Sequence, residues 1–126
     1  MRTLRFGIVV ALLGLTACAT ATPPGTRITD IAVLAGTYTG TVSETGMVDR
    51  SARLVMLSDG SFEITVGDPG GFRFNGRAIV ADDGGLIYQY DRGKGRAAIH
   101  EGGGQRVIVF TRADDRETIT VTKALP

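Results

Sequence analysis

The sequence predicts an all-β fold, a small antiparallel up-and-down barrel or half-barrel of about seven or eight strands, with a β-sandwich as the alternative. Short runs of β-branched, aromatic and aliphatic residues alternate with turn clusters about every 8 to 12 residues from Ala35 onward. Eighteen glycines supply the positive φ angles that tight hairpins require. The same region shows no sustained 3.6-residue periodicity, which argues against a helical bundle.

Eight strands are predicted, at residues 37–43, 52–57, 61–66, 72–80, 86–91, 95–100, 105–111 and 117–122. Clusters of Asp, Gly, Pro and Ser separate them, and every connection is short, so sequential antiparallel pairing is expected. Asp30 is expected to cap one helical turn at Ile31–Leu34. A turn at Glu101–Gly104 would place Ile99 opposite Arg106, on a face shared with Tyr88 and Tyr90.

Alternating apolar and polar residues predict one buried and one solvated face for most strands. At Gly76 the alternation of Phe72 and Phe74 breaks, which predicts a bulge or bend. Two segments, 54–57 and 107–110, are apolar on both faces, so a second covered surface is expected there. The predicted core comprises Tyr38, Val42, Leu54, Met56, Phe62, Ile64, Val66, Phe72, Phe74, Leu86, Tyr88, Ile99, Ile108, Phe110, Ile119 and Val121.

The N-terminal segment has the pattern of a secretion signal. Arg2 and Arg5 precede an uncharged apolar run, 6–15, which has the length of a signal core and is too short to span a membrane. Leu15-Thr16-Ala17-Cys18 follows and matches the lipobox of bacterial lipoproteins, a class that this chain resembles in all three parts of the signal. We therefore expect a signal-peptide helix in residues 1–17, a flexible tether in 18–30 and a single β domain in 31–126.

The resemblance to bacterial lipoproteins implies cleavage between Ala17 and Cys18 and acylation of Cys18, including palmitate. Two or three acyl chains would anchor the protein firmly to a membrane. Ala19 is not the aspartate that favours inner-membrane retention in that class, so the resemblance implies the outer membrane, facing the periplasm. Cys18 is the only cysteine, and the fold must therefore form without a disulfide.

A second resemblance concerns the start of the predicted barrel. Gly36-Thr37-Tyr38 resembles the Gly-x-Trp start of lipocalin-like and avidin-like barrels, with tyrosine in place of tryptophan. The longer stretch through Gly40, with Leu54-x-Met56-x-x-Asp59-Gly60-x-Phe62, is similar to small envelope lipoprotein barrels of the NlpE N-terminal type. Because this chain lacks their Cys-x-x-Cys, the resemblance implies a barrel and not their copper or redox chemistry.

Few residues suggest specific chemistry. Tyr38, Tyr88 and Tyr90 could line a ligand pocket, with core packing as the alternative. Arg92, Lys94 and Arg96 place three cations at one hairpin, where they could contact an anionic surface; a solvated turn is the alternative.

The remaining polar residues point to ordinary structural roles. His100, the single histidine, is expected at the surface. The acidic pairs Asp82-Asp83 and Asp114-Asp115 fit turn chemistry better than calcium-loop spacing. No metal or other cofactor is expected.

Three functions follow as hypotheses. The first is a lipid-anchored, non-catalytic barrel that binds a small apolar or amphipathic ligand. The second is an envelope module that binds another protein or inhibits a hydrolase, and the third, the least favoured, is an enzyme, because no catalytic constellation is visible. The formal charge of +1 includes Arg2 and Arg5 of the signal, so charge gives no reason to expect nucleic acid.

Overall fold

The computed structural model describes residues 25–67 and 71–126, so the predicted signal, its predicted cleavage site and Cys18 lie outside the described residues. A 3₁₀ helix, Ile31–Leu34, precedes eight strands. The strands are β1 (Gly36–Glu44), β2 (Arg50–Met56), β3 (Ser61–Val66), β4 (Phe72–Val80), β5 (Leu86–Tyr90), β6 (Gly93–Gly102), β7 (Gln105–Arg112) and β8 (Glu117–Ala124).

The strands form a closed antiparallel barrel. Each strand pairs with the next along the chain, and β8 returns to pair with β1. The all-β barrel prediction is confirmed, and closure decides against the half-barrel and the sandwich. The eight predicted strands correspond one to one with the observed strands, and their ends agree within two residues. The Asp30 cap is also present, since its Oδ1 accepts a hydrogen bond from Ala32 N–H at 3.0 Å.

The register of the β6–β7 hairpin differs from the one expected. Ile99 pairs with Ile108, and Arg106 pairs with Glu101. The turn contains only Gly103 and Gly104, whose φ angles of 59° and 77° suit a two-residue hairpin turn. The observed register is shifted by two residues from the expected one. Because this shift is an even number, the same side chains face the barrel interior in both registers.

Side chains fill the barrel interior. The fully buried set, each less than 2% exposed, is Tyr38, Phe110, Leu34, Leu54, Met56, Ile64, Leu86, Ile99, Ile108 and Val121. A cavity large enough for a water molecule would expose part of the side chains that line it. These side chains have almost no exposed surface, so no such cavity lies beside them. The part of the interior that they line is therefore packed and has no room for a ligand.

The bulge expected at Gly76 is wrong. Pairing continues through Gly76 on both sides, to Phe62 on β3 and to Tyr90 on β5. A Cβ at this position would lie 2.5 Å from Phe62 Cζ and 2.6 Å from Tyr90 Cβ. Glycine is required because two aromatic side chains occupy the space where its own side chain would project.

The core prediction is confirmed except at the start of β4. Phe72 is 61% exposed, because it lies at the rim of the barrel, where no opposite wall covers the inward-facing side. Phe74, two residues further in, is partly buried and stacks on Phe72 with ring centroids 6.3 Å apart. A second covered surface was expected at segments 54–57 and 107–110. The outward-facing side chains there are not uniformly buried, since Leu57 is 55% exposed and Val109 is half-buried.

The 3₁₀ helix closes one end of the barrel, called here the closed end. Leu34 is fully buried, and its carbonyl accepts a hydrogen bond from the Tyr38 hydroxyl at 2.8 Å. Arg106 donates to the Val33 carbonyl at 2.7 Å and to the Glu101 carboxylate at 2.6 Å. These bonds connect the helix to strands β1, β6 and β7.

The chain before the helix also lies against the barrel. Thr26 N–H donates to the Ile99 carbonyl, and Thr26 Oγ1 accepts from Glu101 N–H. Ile28 N–H donates to the Gly84 carbonyl at 3.0 Å, and its side chain is buried. Residues 25–28 therefore cover the edge of β6 beyond the point where its pairing with β5 ends. No helix in the described residues is long and apolar enough to cross a membrane.

Candidate ligand-binding site at the open end of the barrel

Four charged side chains that face inward are grouped at the other end of the barrel, called here the open end. Glu44 and Glu117 are direct cross-strand partners, and Arg50 and Arg112 lie at the same ends of the neighbouring strands β2 and β7. All four continue the inward-facing alternation of their strands. Two carboxylates placed side by side are unfavourable unless cations accompany them. The arginines supply those cations.

Glu117 is the most buried of these groups. Its side chain is 3% exposed, and it is the one charged residue among the described residues that is classed as buried. Its Oε1 accepts a hydrogen bond from the Tyr90 hydroxyl, and its Oε2 lies 3.8 Å from nitrogens of both Arg92 and Arg112. A buried carboxylate is costly without such partners, so this network has to be maintained as a unit.

Arg92 connects the two carboxylates. It lies in the two-residue turn between β5 and β6, and its guanidinium is 3.4 Å from Glu44 and 3.8 Å from Glu117. The guanidinium also lies 5.3 Å from the centre of the Phe74 ring. Arg50 makes the equivalent contacts on the opposite side, 3.5 Å from Glu44 and 5.9 Å from the centre of the Phe72 ring.

These groups surround a pocket of about 430 Å³, called here the mouth, which is lined by Glu44, Met47, Arg50, Phe72, Phe74 and Arg92. Its volume is at the lower end of the range of small-molecule sites, about 300 to 1,000 Å³. Beneath it, the rings of Phe74, Tyr90, Tyr88 and Phe110 contact one another in sequence and fill the barrel. The mouth is therefore shallow.

The environment of the two inner tyrosines stabilises their neutral forms. Burial raises the pKa of Tyr88 to about 12, with a smaller contribution from the Glu117 carboxylate. Burial also raises the pKa of Tyr90, and the hydrogen bond to Glu117 raises it further. Both phenols therefore stay protonated well above neutral pH, and the Tyr90 hydroxyl uses its proton in the hydrogen bond to Glu117.

The structure separates the three tyrosines that the sequence suggested as pocket residues. Tyr38 is fully buried at the closed end, where it bonds to the 3₁₀ helix. Tyr88 lies in the aromatic cluster and is 2% exposed. Tyr90, 7% exposed, lies nearest the mouth through its contacts with Phe74 and Glu117.

The three cations of the β5–β6 hairpin are also separated. Arg92 reaches over the mouth, and Lys94 lies beside it in a rim depression of about 450 Å³ that Arg112 and Asp114 also line. Arg96 points outward on the flank and pairs with Asp83 at 2.9 Å. Two of the three thus lie near the open end.

The remaining candidates have structural surroundings. His100 is half-buried on the outer face, in a depression of about 570 Å³ beside residues 25–27. The Asp83 and Asp114 carboxylates accept backbone hydrogen bonds within their own turns, from Gly85 at 3.0 Å and Arg116 at 3.0 Å. Within residues 25–67 and 71–126, no group of three His, Cys, Asp or Glu side chains could hold a metal ion.

Sequence reasoning missed Glu44 and Arg50 and placed Glu117 only at the start of a predicted strand. A signal was present, because Glu117 shares the inward alternation of Ile119 and Val121, and Glu44 that of Val42. A charge at an inward position next to a strand end could have identified both.

Comparison of the chain with protein-family models, curated proteins and solved structures found no match.

Proposed function

We propose that this protein is a lipid-anchored lipoprotein of the bacterial envelope, without catalytic activity, that binds a small amphipathic molecule at the mouth. The observation that carries the proposal is the placement of the buried Glu117 network directly beneath a pocket with apolar and cationic walls. The closed end is packed beneath the 3₁₀ helix, where Arg106 bonds to Val33 and Glu101, whereas this end combines a concavity, exposed aromatic surface and converging polar groups. Because the interior is filled, the ligand is held at the mouth and not inside the barrel.

The anchor is proposed from the lipobox at Leu15–Cys18. The fold supports an orientation of the barrel in which its closed end lies nearer the membrane. Gly25, the first described residue, lies against β6 near the closed end, where Thr26 bonds to Ile99. Six residues separate Cys18 from Gly25, and the seven Cα–Cα steps between them span at most about 25 Å. A membrane anchor at Cys18 would therefore hold the closed end nearer the bilayer and leave the mouth facing the aqueous space, the periplasm in the case of the outer membrane.

Metabolic labelling tests the anchor. Cells that express the full chain are grown with radiolabelled palmitate, and the protein is compared with a Cys18→Ser variant. We expect label on the parent chain and none on the variant, with release of the variant from the membrane fraction. Persistence of label in Cys18→Ser would refute the anchor.

Native mass spectrometry tests the binding function. The protein is extracted from the envelope in mild detergent, and bound molecules are identified before and after mild heating. We expect one small amphipathic molecule per chain, and reduced occupancy in Phe72→Ser, which removes an exposed aromatic wall of the mouth. Equal occupancy in Phe72→Ser and in the outward-facing control Ile87→Ser would refute a site at the mouth.

A second candidate function is binding of an envelope protein, and the rim of the mouth favours it. Val48, Phe72 and Met47 are 85%, 61% and 55% exposed, and all three lie at the open end. Exposed apolar residues grouped at one site commonly mark an interface. Photo-crosslinking from position 48 in intact cells decides between the candidates, because capture of one defined protein favours the second.

A further inference from the structure

The arginines at the mouth carry more hydrogen-bond donors than their carboxylate partner can use. Each guanidinium has five N–H donors. Arg50 and Arg92 each contact Glu44 through a single nitrogen, at 3.5 and 3.4 Å, and each side chain is about one third exposed. Arg92 also directs a nitrogen at Glu117, 3.8 Å away, and the donors that neither carboxylate uses are available to an acceptor-rich group that enters the pocket.

Glu44 is held loosely between these two arginines. Its Oε1 contacts Arg50, and its Oε2 contacts Arg92. Both distances exceed the 2.7 to 2.9 Å, approximately, of a well-formed charge-assisted hydrogen bond. By contrast, Arg112 contacts Asp114 at 2.9 Å. The Glu44 carboxylate therefore occupies the position between two guanidiniums that an exogenous oxyanion would take, without binding tightly there.

The aromatic rings hold the arginines in place for such a ligand. Arg50 lies over Phe72 and Arg92 lies over Phe74, so both guanidiniums are supported from one side, and the N–H groups that do not face Glu44 or Glu117 can contact a ligand. Lys94 adds positive charge beside Arg92 in the rim depression, where Asp114 offsets the charge of Arg112. The cationic groups thus surround the side of the mouth where an anion would approach.

The floor of the mouth limits how far a ligand can enter. Glu117 carries negative charge below Arg92, which disfavours deeper entry of an anion, and Tyr88 and Phe110 fill the interior below it. The apolar surface left for the rest of the ligand is the rim, at Met47 and Phe72. A ligand can therefore place a charged head between the arginines and an apolar part across the rim.

We propose that the ligand of the mouth is an amphiphile with a compact oxyanion head, a carboxylate or phosphate monoester, held by Arg50 and Arg92 in exchange for Glu44. This inference rests on the proposed function and adds the class of ligand. It assigns Arg50 and Arg92 to the head, Phe72 and Met47 to the apolar part, and Glu44 to competition with the ligand.

Calorimetric titration with short amphiphiles that share one tail tests the head group. The full chain, purified from the envelope into phosphatidylcholine nanodiscs, is titrated with hexyl phosphate, hexyltrimethylammonium and hexyl glucoside, with empty nanodiscs as blanks. We expect hexyl phosphate to bind at least about tenfold more tightly than the other two. Equal affinities, or a preference for the ammonium, would overturn the oxyanion inference and leave binding at the mouth intact. Failure of all three to bind would overturn the proposed function as well.

Variants separate recognition from folding. We expect Arg92→Gln to weaken hexyl phosphate binding about tenfold, Arg92→Lys to restore part of the affinity, and Arg73→Gln, an exposed control on β4, to have no effect. Glu44→Gln should strengthen hexyl phosphate binding several-fold, because it removes the competing charge. A merely structural role for Glu44 predicts weaker binding or none, and that result would contradict the exchange.

Two further titrations test the apolar part and the source of the ligand. Inorganic phosphate should bind more weakly than hexyl phosphate; equal affinity would show that the apolar rim contributes nothing and overturn the amphiphile.

Replacing phosphatidylcholine with phosphatidylglycerol in the nanodisc should leave the affinity for hexyl phosphate unchanged, because the mouth faces away from the anchor. Competition by the anionic lipid would overturn a free amphiphile as the ligand.

Discussion

Replacing Glu117 by Gln tests whether the charge beneath the mouth is integral to the barrel. The amide keeps the shape and can still accept the Tyr90 hydrogen bond, but it leaves Arg92 and Arg112 without their buried counter-charge. Breaking a fully buried ion pair costs about 3 to 5 kcal/mol. Arg92 is 34% exposed and Arg112 retains Asp114, so solvent and that second carboxylate reduce the cost. We expect a loss of about 2 kcal/mol.

Urea unfolding followed by circular dichroism measures this loss, which corresponds to a fall of roughly 10 °C in Tm. The matched control is Glu63→Gln, whose ion pair with Arg73 is exposed on both sides and should be worth under about 0.5 kcal/mol. Equal stability of Glu117→Gln and Glu63→Gln would refute the interpretation of Glu117 as a charge that the fold must neutralise.

The same variant has a spectroscopic consequence. The hydrogen bond and the charge of Glu117 both raise the pKa of the Tyr90 phenol, in addition to burial. Loss of the carboxylate should therefore lower the pKa of Tyr90, measured by the near-ultraviolet absorbance of phenolate. Tyr90→Phe assigns the transition. An unchanged titration in Glu117→Gln would show that burial alone sets this pKa.

Three further predictions concern the rest of the barrel. Gly76→Ala should cost about 1 to 3 kcal/mol, because the new Cβ would meet Phe62, whereas Gly102→Ala, with nothing within 4 Å, should change the free energy of unfolding by less than about 0.5 kcal/mol; similar values would contradict the packing of Gly76. Tyr38→Phe should cost about 1 to 2 kcal/mol, since it leaves a buried carbonyl of the 3₁₀ helix without its donor, and unchanged denaturant midpoints would count against this role. Stability should be constant from about pH 7 to about pH 9, and the contribution of Tyr88 should fall by about 2 kcal/mol towards pH 12, because the unfolded chain releases the Tyr88 proton before the folded chain does; a flat profile above about pH 9, measured by urea titration at each pH, would refute it.

Much of the fold could be predicted because its signals are local. Alternation of side chains along a strand and the chemistry of a turn depend on a few consecutive residues. The strand Phe72–Val80 was predicted with its observed bounds, although Phe72 itself lies outside the core. Alternation shows which way a side chain points, but it does not show where the opposite wall of the barrel ends.

The candidate site was less predictable because its members are distant in sequence. Glu44 and Glu117 become neighbours only when β8 pairs with β1 and closes the barrel. Arg92 was recognised as a cation on a hairpin, yet its role as the connection between two carboxylates depends on where that hairpin lies relative to β1 and β8. Tyr90 was selected as a pocket residue, and its partner Glu117 was predicted only as the first residue of a strand.

The sequence by itself determined the strand order, the cap of the 3₁₀ helix and the short hairpin connections, because each depends on neighbouring residues. It also carries the lipobox-like segment that ends at Cys18, on which the proposed anchor rests. Only the tertiary structure decided that the sheet closes, that its interior is packed, and that opposite charges converge at one end. Those properties depend on pairings between residues far apart in the chain and on the space left by side chains from facing strands, and no local pattern encodes either of them.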